Sequence, residues 1–221
     1  MTNPFCDPEK LLVFGDSWPA GAELTHPETE CFPYVIAQQL GLKLKNYSCS
    51  STSTEQALHR LLNDVDDWDN SIVLFCLTGI SRSMIIRNKH TVELHPLMST
   101  PVTDAYYKYI QTDELDEFNR LRNVLATQQV CLQKKSRCLF VSNFNPLPTH
   151  PMIDLTNFYP KTLTEILNLT KTSDKEFWTN HDLNSDYVKP SVAHPNALGH
   201  MHIGSVLGNW IKEKINDKSV L

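Results

Sequence analysis

The stretch Lys10-Leu-Leu-Val-Phe-Gly-Asp-Ser-Trp18 decides how the rest of the chain is read. Its short apolar run ends at Gly15, which predicts a buried strand. The Gly-Asp-Ser that follows puts the Ser17 hydroxyl at the carboxyl end of that strand, where open α/β sheets carry their sites. Working outward, Phe32 to Leu40 has apolar residues at helical spacing and stops at Gly41, a natural helix end. Leu42 to Tyr47 alternates Leu and Lys and predicts a second strand. Thr52-Ser-Thr-Glu55 fits a capping box ahead of a helix carrying Ala57, Leu58, Leu61, Leu62 and Val65. The continuous apolar run within Ser71 to Thr78 suits a strand covered on both faces.

Beyond it, residues 80 to about 112 show no clean period and hold the aromatic cluster Tyr106-Tyr107-Lys108-Tyr109. Asp113 to Lys134 returns to helical spacing, with Leu115, Phe118, Leu121, Leu125 and Leu132 on one expected face. Arg137 to Ser142 is a fourth strand. Between 145 and about 190 only short helical pieces are legible, Leu163 to Leu169 and Asp174 to Trp178. A last helix follows Pro195, with Asn196 as its N-cap. Strands alternating with helices predict an α/β fold with a mainly parallel sheet and helices on both faces. Without repeat or linker, residues 1–221 are expected to form one domain.

Bulk properties narrow the function classes. The chain has 221 residues, 41% of them hydrophobic, and a formal charge of −5. Such a composition can offset its ordering entropy by burial, which excludes general disorder. The longest apolar run, Ile72 to Leu77, falls far short of the roughly 18–20 residues that span a bilayer. Mild acidity with no basic cluster argues against nucleic acid as a partner. The N-terminus lacks a basic and an apolar region, so no signal peptide is expected. Cys6, Cys31, Cys49, Cys76, Cys131 and Cys138 are scattered without a CxxC pair and are expected to be reduced, which predicts a cytoplasmic protein.

A serine needs a base within hydrogen-bond reach to become a nucleophile. The segment Ala193-His-Pro-Asn-Ala-Leu-Gly-His200 offers His194, just before the last helix. A first strand and the segment before a last helix in one fold can bring together two residues 177 positions apart. His194, His200 and His202 lack carboxylate or Cys partners at zinc-like spacing, so no metal is expected. His200 is expected to cap or pack against the first helical turns. Trp18 and the Tyr106–Tyr109 cluster fit either a pocket wall or plain core packing.

The pair Phe14-Gly-Asp-Ser17 and His194-Pro-Asn-x-x-Gly-His200 resembles the SGNH, or GDSL-type, serine hydrolases. The resemblance implies a three-layer, flavodoxin-like sandwich and an esterase that needs no cofactor. It also implies Ser17 as nucleophile, His194 as general base, and a small-molecule or glycan acyl ester as substrate. Asn46-Tyr-Ser-Cys-Ser-Ser-Thr-Ser53 stands for the family's second block, with Ser51 where a glycine normally donates its N–H to the oxyanion. Thr78-Gly-Ile-Ser-Arg82 stands for the third, and Gly79 is retained, but Ser81 replaces the usual Asn. The family's D-x-x-H becomes Ser191-Val-Ala-His194, so the acid that orients the histidine is missing. Three compensations are open: the Ser191 carbonyl accepting from His194, Asp186 reaching in from the preceding loop, and Ser81 or Arg82 contacting the oxyanion. The alternative function is a degenerate SGNH domain kept as a weakly catalytic binding or structural module.

Overall fold

The computed structural model describes residues 8–169, 187–189 and 194–217. Strand β1 (Lys10–Phe14) leads into a one-turn helix α1 (Ser17–Ala20), then α2 (Pro27–Glu30) and α3 (Phe32–Leu40). Next come β2 (Lys43–Asn46), α4 (Thr54–Asn63), β3 (Ser71–Leu77), β4 (Ser83–Arg87), β5 (His90–Leu94), α5 (Pro101–Tyr109) and α6 (Asp113–Gln133). The chain continues through β6 (Arg137–Ser142), α7 (Leu163–Ile166), β7 (Val188–Lys189), β8 (His194–Pro195) and α8 (Ala197–Asn216). β2, β1, β3 and β6 pair in that order, all parallel, into the central sheet.

Alternate side chains of these strands build two cores. Leu11, Val13, Ile72, Leu74, Leu139 and Val141 pack beneath α3 and α8, against Ile36, Ile203 and Leu207. Leu12, Phe14, Val73, Phe75 and Phe140 pack on the other face against Ala57, Leu61 and Val124. Each such side chain contributes about 1.5–3 kcal/mol by leaving water. Burial on both faces explains why β3 reads as one unbroken apolar run. The expected α/β sandwich is the observed one. No helix among the described residues is long and apolar enough to cross a membrane.

Three local expectations are corrected. The cap of α4 is Ser53, not Thr52: its hydroxyl accepts from the Gln56 N–H, so the helix starts at Thr54. The segment expected to lack structure forms an antiparallel hairpin, β4 with β5, followed by α5. Its turn, Asn88-Lys89, has φ of 52° and 68°, a pair of left-handed residues that matches hairpin twist. The buried stripe of α6 is mostly polar, Asp116, Arg120, Asn123, Val124, Thr127 and Cys131, whereas Phe118 and Leu132 face solvent. Of the expected apolar face, Leu121 and Leu125 do pack against the core, half-buried; apolar spacing missed the polar residues beside them because these share the same helical period. The expected Asp174–Trp178 helix and Cys6 lie outside the described residues.

Candidate active site

The local structure of the first block follows from two small residues and one carboxylate. A Cβ on Gly15 would meet Pro19 Cγ at 2.6 Å and Cys76 Cβ at 2.8 Å, so only glycine lets the chain leave the sheet here. Asp16 then caps α1, its Oδ1 accepting from the Trp18 N–H at 3.0 Å. The same oxygen accepts from Asn143 Nδ2 at 2.8 Å, and Oδ2 accepts from Arg82 Nη1 at 3.1 Å. Asp16 is fully buried with both oxygens engaged, which commits it to fixing the turn. Ser17 stands at the start of α1 and is 4% exposed. Trp18 is packing: it is buried, edge-on to Phe144.

The motif around His194 has an equally local logic. β8 pairs with β7 as a two-residue antiparallel bridge, His194 opposite Lys189. Asn196 caps α8 by accepting from the Gly199 N–H at 2.9 Å, and its own N–H donates to Tyr187 O. A Cβ on Gly199 would lie 2.3 Å from that Tyr187 oxygen, so glycine is required for the approach. His200 Nδ1 accepts from the Phe32 N–H at 3.1 Å, and its ring stacks on Phe32. Burial, with His194 nearby as a smaller cause, pushes the His200 pKa down to about 3. His200 is therefore a neutral packing residue that ties α8 to α3.

These two anchored segments bring His194 Nε2 to 2.9 Å from Ser17 Oγ. The second block is bonded to the same turn: Asn46 Nδ2 donates to Pro19 O, and the Cys49 N–H donates to Gly15 O. Ser51 has φ of 64°, the left-handed backbone that glycine normally supplies. In the third block Gly79 O accepts from the Arg82 N–H, forming a tight turn that sends Arg82 back to Asp16. Ser81 O receives the Tyr107 hydroxyl at 2.7 Å, so Tyr107 braces this turn, while Tyr106 is buried and Tyr109 exposed. Arg82, one of the groups left open as an oxyanion contact, has one guanidinium nitrogen on Asp16. Asp186 and Ser191 lie outside the described residues.

Sequence reasoning missed Asn143 and Glu93. Asn143 follows β6 directly, and a polar residue ending a buried strand was the available signal. Glu93, on β5, accepts from the Ser53 N–H at 3.0 Å and so ties the hairpin to the second block. Burial raises its pKa to about 7, against the lowering by that hydrogen bond.

Comparisons with known proteins bear on the fold. No protein-family model matches the chain, and no curated protein matches it in sequence. Among solved structures, a protein assigned to the G-D-S-L lipolytic family from Desulfitobacterium hafniense DCB-2 superposes with a TM-score of 0.57 at 10% identity, covering 91% of this chain and 98% of its own. TesA gives 0.56 at 13% identity, with 93% and 98% covered. The psychrotrophic esterase EstA of Pseudoalteromonas sp., inhibited by monoethylphosphonate, gives 0.54 at 17%, with 95% and 100% covered. The chain has the SGNH hydrolase fold. Within the SGNH fold, the blocks quoted from the sequence all gather at the carboxyl edge of the sheet.

Proposed function

We propose that this chain is a divergent SGNH-type serine hydrolase that cleaves an O-acyl ester through a Ser17 acyl-enzyme, with His194 as general base. The observation that carries the reading is the 2.9 Å contact between Ser17 Oγ and His194 Nε2. His194 takes the Ser17 proton as the oxygen attacks the ester carbonyl, then returns it to the departing alcohol. Water, activated by the same nitrogen, releases the acid. The developing oxyanion is received by the Ser17 and Ser51 backbone N–H groups, with Gly79 and Ser81 as further donors. The left-handed backbone at Ser51 supports that role, because it is a conformation that glycine adopts readily and serine rarely does. Orientation of His194 is assigned to the Ser191 carbonyl or the Asp186 carboxylate, the two acceptors the sequence offers in place of the missing acid. A small-molecule or glycan ester fits as substrate. The five described cysteines are all free thiols, which supports a reducing, cytoplasmic setting.

The test is turnover of p-nitrophenyl acetate by the native chain and by Ser17→Ala, with fluorophosphonate labelling of native and His194→Ala. The expected result is a loss on the order of 10³-fold or more in turnover for Ser17→Ala and slow labelling of His194→Ala. Equal turnover by native and Ser17→Ala would leave the non-catalytic binding module as the better reading.

A further inference from the structure

The buried polar stripe of α6 places a second arginine at the carboxyl edge of the sheet. Arg120 is 5% exposed. Its Nη2 donates to Ser142 Oγ at 3.2 Å and to Asn145 O at 3.3 Å, both neutral acceptors. Its Nε is buried and has no hydrogen-bond partner among the described residues. No described carboxylate comes within 4.0 Å of its guanidinium, in contrast to the other buried arginine. Burial lowers its pKa to about 10, which still leaves it charged at neutral pH. A charge held out of water with only neutral hydrogen-bond partners is an expensive arrangement unless something else completes it.

Arg120 lines a cavity of about 350 Å³ between α6 and the loop after β6. Thr149 and His150 add polar groups to the wall, and Pro146 and Pro148 stiffen the loop that carries them. Glu117 also lines the cavity; it is solvent-exposed and makes no ion pair with Arg120, but its charge is felt there and partly offsets the lowering by burial. The cavity adjoins the candidate active site through one hydrogen bond: Asn145 Oδ1 accepts from the Ile80 N–H, in the turn that delivers Arg82 to Asp16. β6 lies two strands from β1, a lateral step of about 10 Å from the strand that presents Ser17.

We infer that Arg120 anchors an oxyanion-binding subsite that takes a carboxylate or phosphate group carried by the substrate, at a distance from the ester being cleaved. The planar guanidinium matches such groups, and the proline-stiffened wall is formed before the ligand arrives. That the anion belongs to a substrate rests on the esterase reading; that the cavity binds an oxyanion does not.

Two measurements separate these parts. Thermal unfolding of native protein and Ser17→Ala in ~20 mM inorganic phosphate, at constant ionic strength, is expected to show a rise of roughly 2–4 °C. Arg120→Met abolishes the rise, and so does His150→Glu, which brings a negative charge to the rim without touching the Arg120 bonds and stays informative if Arg120→Met fails to fold. In turnover, native protein is expected to prefer a long p-nitrophenyl half-ester of a dicarboxylic acid over its methyl-capped diester by about tenfold in kcat/KM, a preference lost in Arg120→Met. Arg120-dependent phosphate binding without half-ester preference supports the subsite and makes its ligand a free anion. Phosphate binding with no ester turned over supports the subsite and removes the catalytic reading. No phosphate effect on native protein, or the same effect on folded Arg120→Met and His150→Glu, would overturn the inference.

Discussion

Arg82 and Arg120 are both almost wholly buried near the carboxyl ends of the same sheet, yet their surroundings are opposite. Arg82 meets Asp16 at 3.1 Å, and Glu93 is close enough that the two feel each other's charge. Arg120 meets a serine hydroxyl and a backbone carbonyl. The difference separates a charge used to build a site from a charge left for something to bind. Where the counter-charge is internal, the arginine completes the turn that presents Ser17; where it is missing, the arginine opens on a cavity.

The contrast can be broken by substitution, and the largest effect is expected at Arg82. Arg82→Met leaves the Asp16 carboxylate buried with only neutral donors and is expected to cost about 3–5 kcal/mol in urea unfolding. Adding Asp16→Asn to that variant should recover part of the loss, since the stranded charge is then gone. A deficit under about 1 kcal/mol in Arg82→Met would mean that the pair is not what holds the turn.

The acidic side of the Arg82 cluster is read by pH. The folded-state pKa of Glu93 lies above its ordinary value of 4.5, at about 7, so the folded chain holds this proton more tightly than the unfolded one. Its contribution is present below about pH 4.5 and is lost as pH rises through about 7. The melting temperature of the native chain should therefore fall relative to Glu93→Gln between pH 5 and 8 by several degrees, measured by parallel thermal melts. Identical profiles for the two proteins would remove Glu93 from the account.

Ser51→Gly is a gentler probe of the same region. Relieving a left-handed serine is expected to raise stability by about 0.5–1 kcal/mol, the strain removed exceeding the entropy glycine adds to the unfolded chain. A loss instead would show that the Ser51 side chain holds the second block.

Arg120→Met should have the smallest effect on folding, within about 1 kcal/mol, because an apolar stem replaces a buried charge that has no carboxylate in ion-pair contact. A penalty as large as that of Arg82→Met would erase the distinction between the two arginines.

Much of this architecture was legible in the chain because its signals are local. β1 and β3 read as apolar runs, Gly41 ends α3 at φ of 68°, and Asn196 caps α8. The hairpin at 83–94 was not legible, because Asn88-Lys89 replaces the usual glycine-containing turn. The polar inner face of α6 was hidden for a related reason: hydrophobic spacing cannot reveal a helix that buries Asp116, Arg120 and Asn123.

By itself the sequence determined an α/β sheet with a serine at the end of the first strand and a histidine ahead of the last helix. It did so because strand ends, caps and close-packed glycines are set by neighbours a few residues away. Only the tertiary structure decided that Arg82 and Asn143 converge on Asp16, that Ser51 takes a left-handed backbone, and that Arg120 faces a cavity without a carboxylate in ion-pair contact with it. Each of those facts joins residues from different strands and helices. A buried charge has meaning only through the partners that the packed sheet does, or does not, bring within a few ångströms.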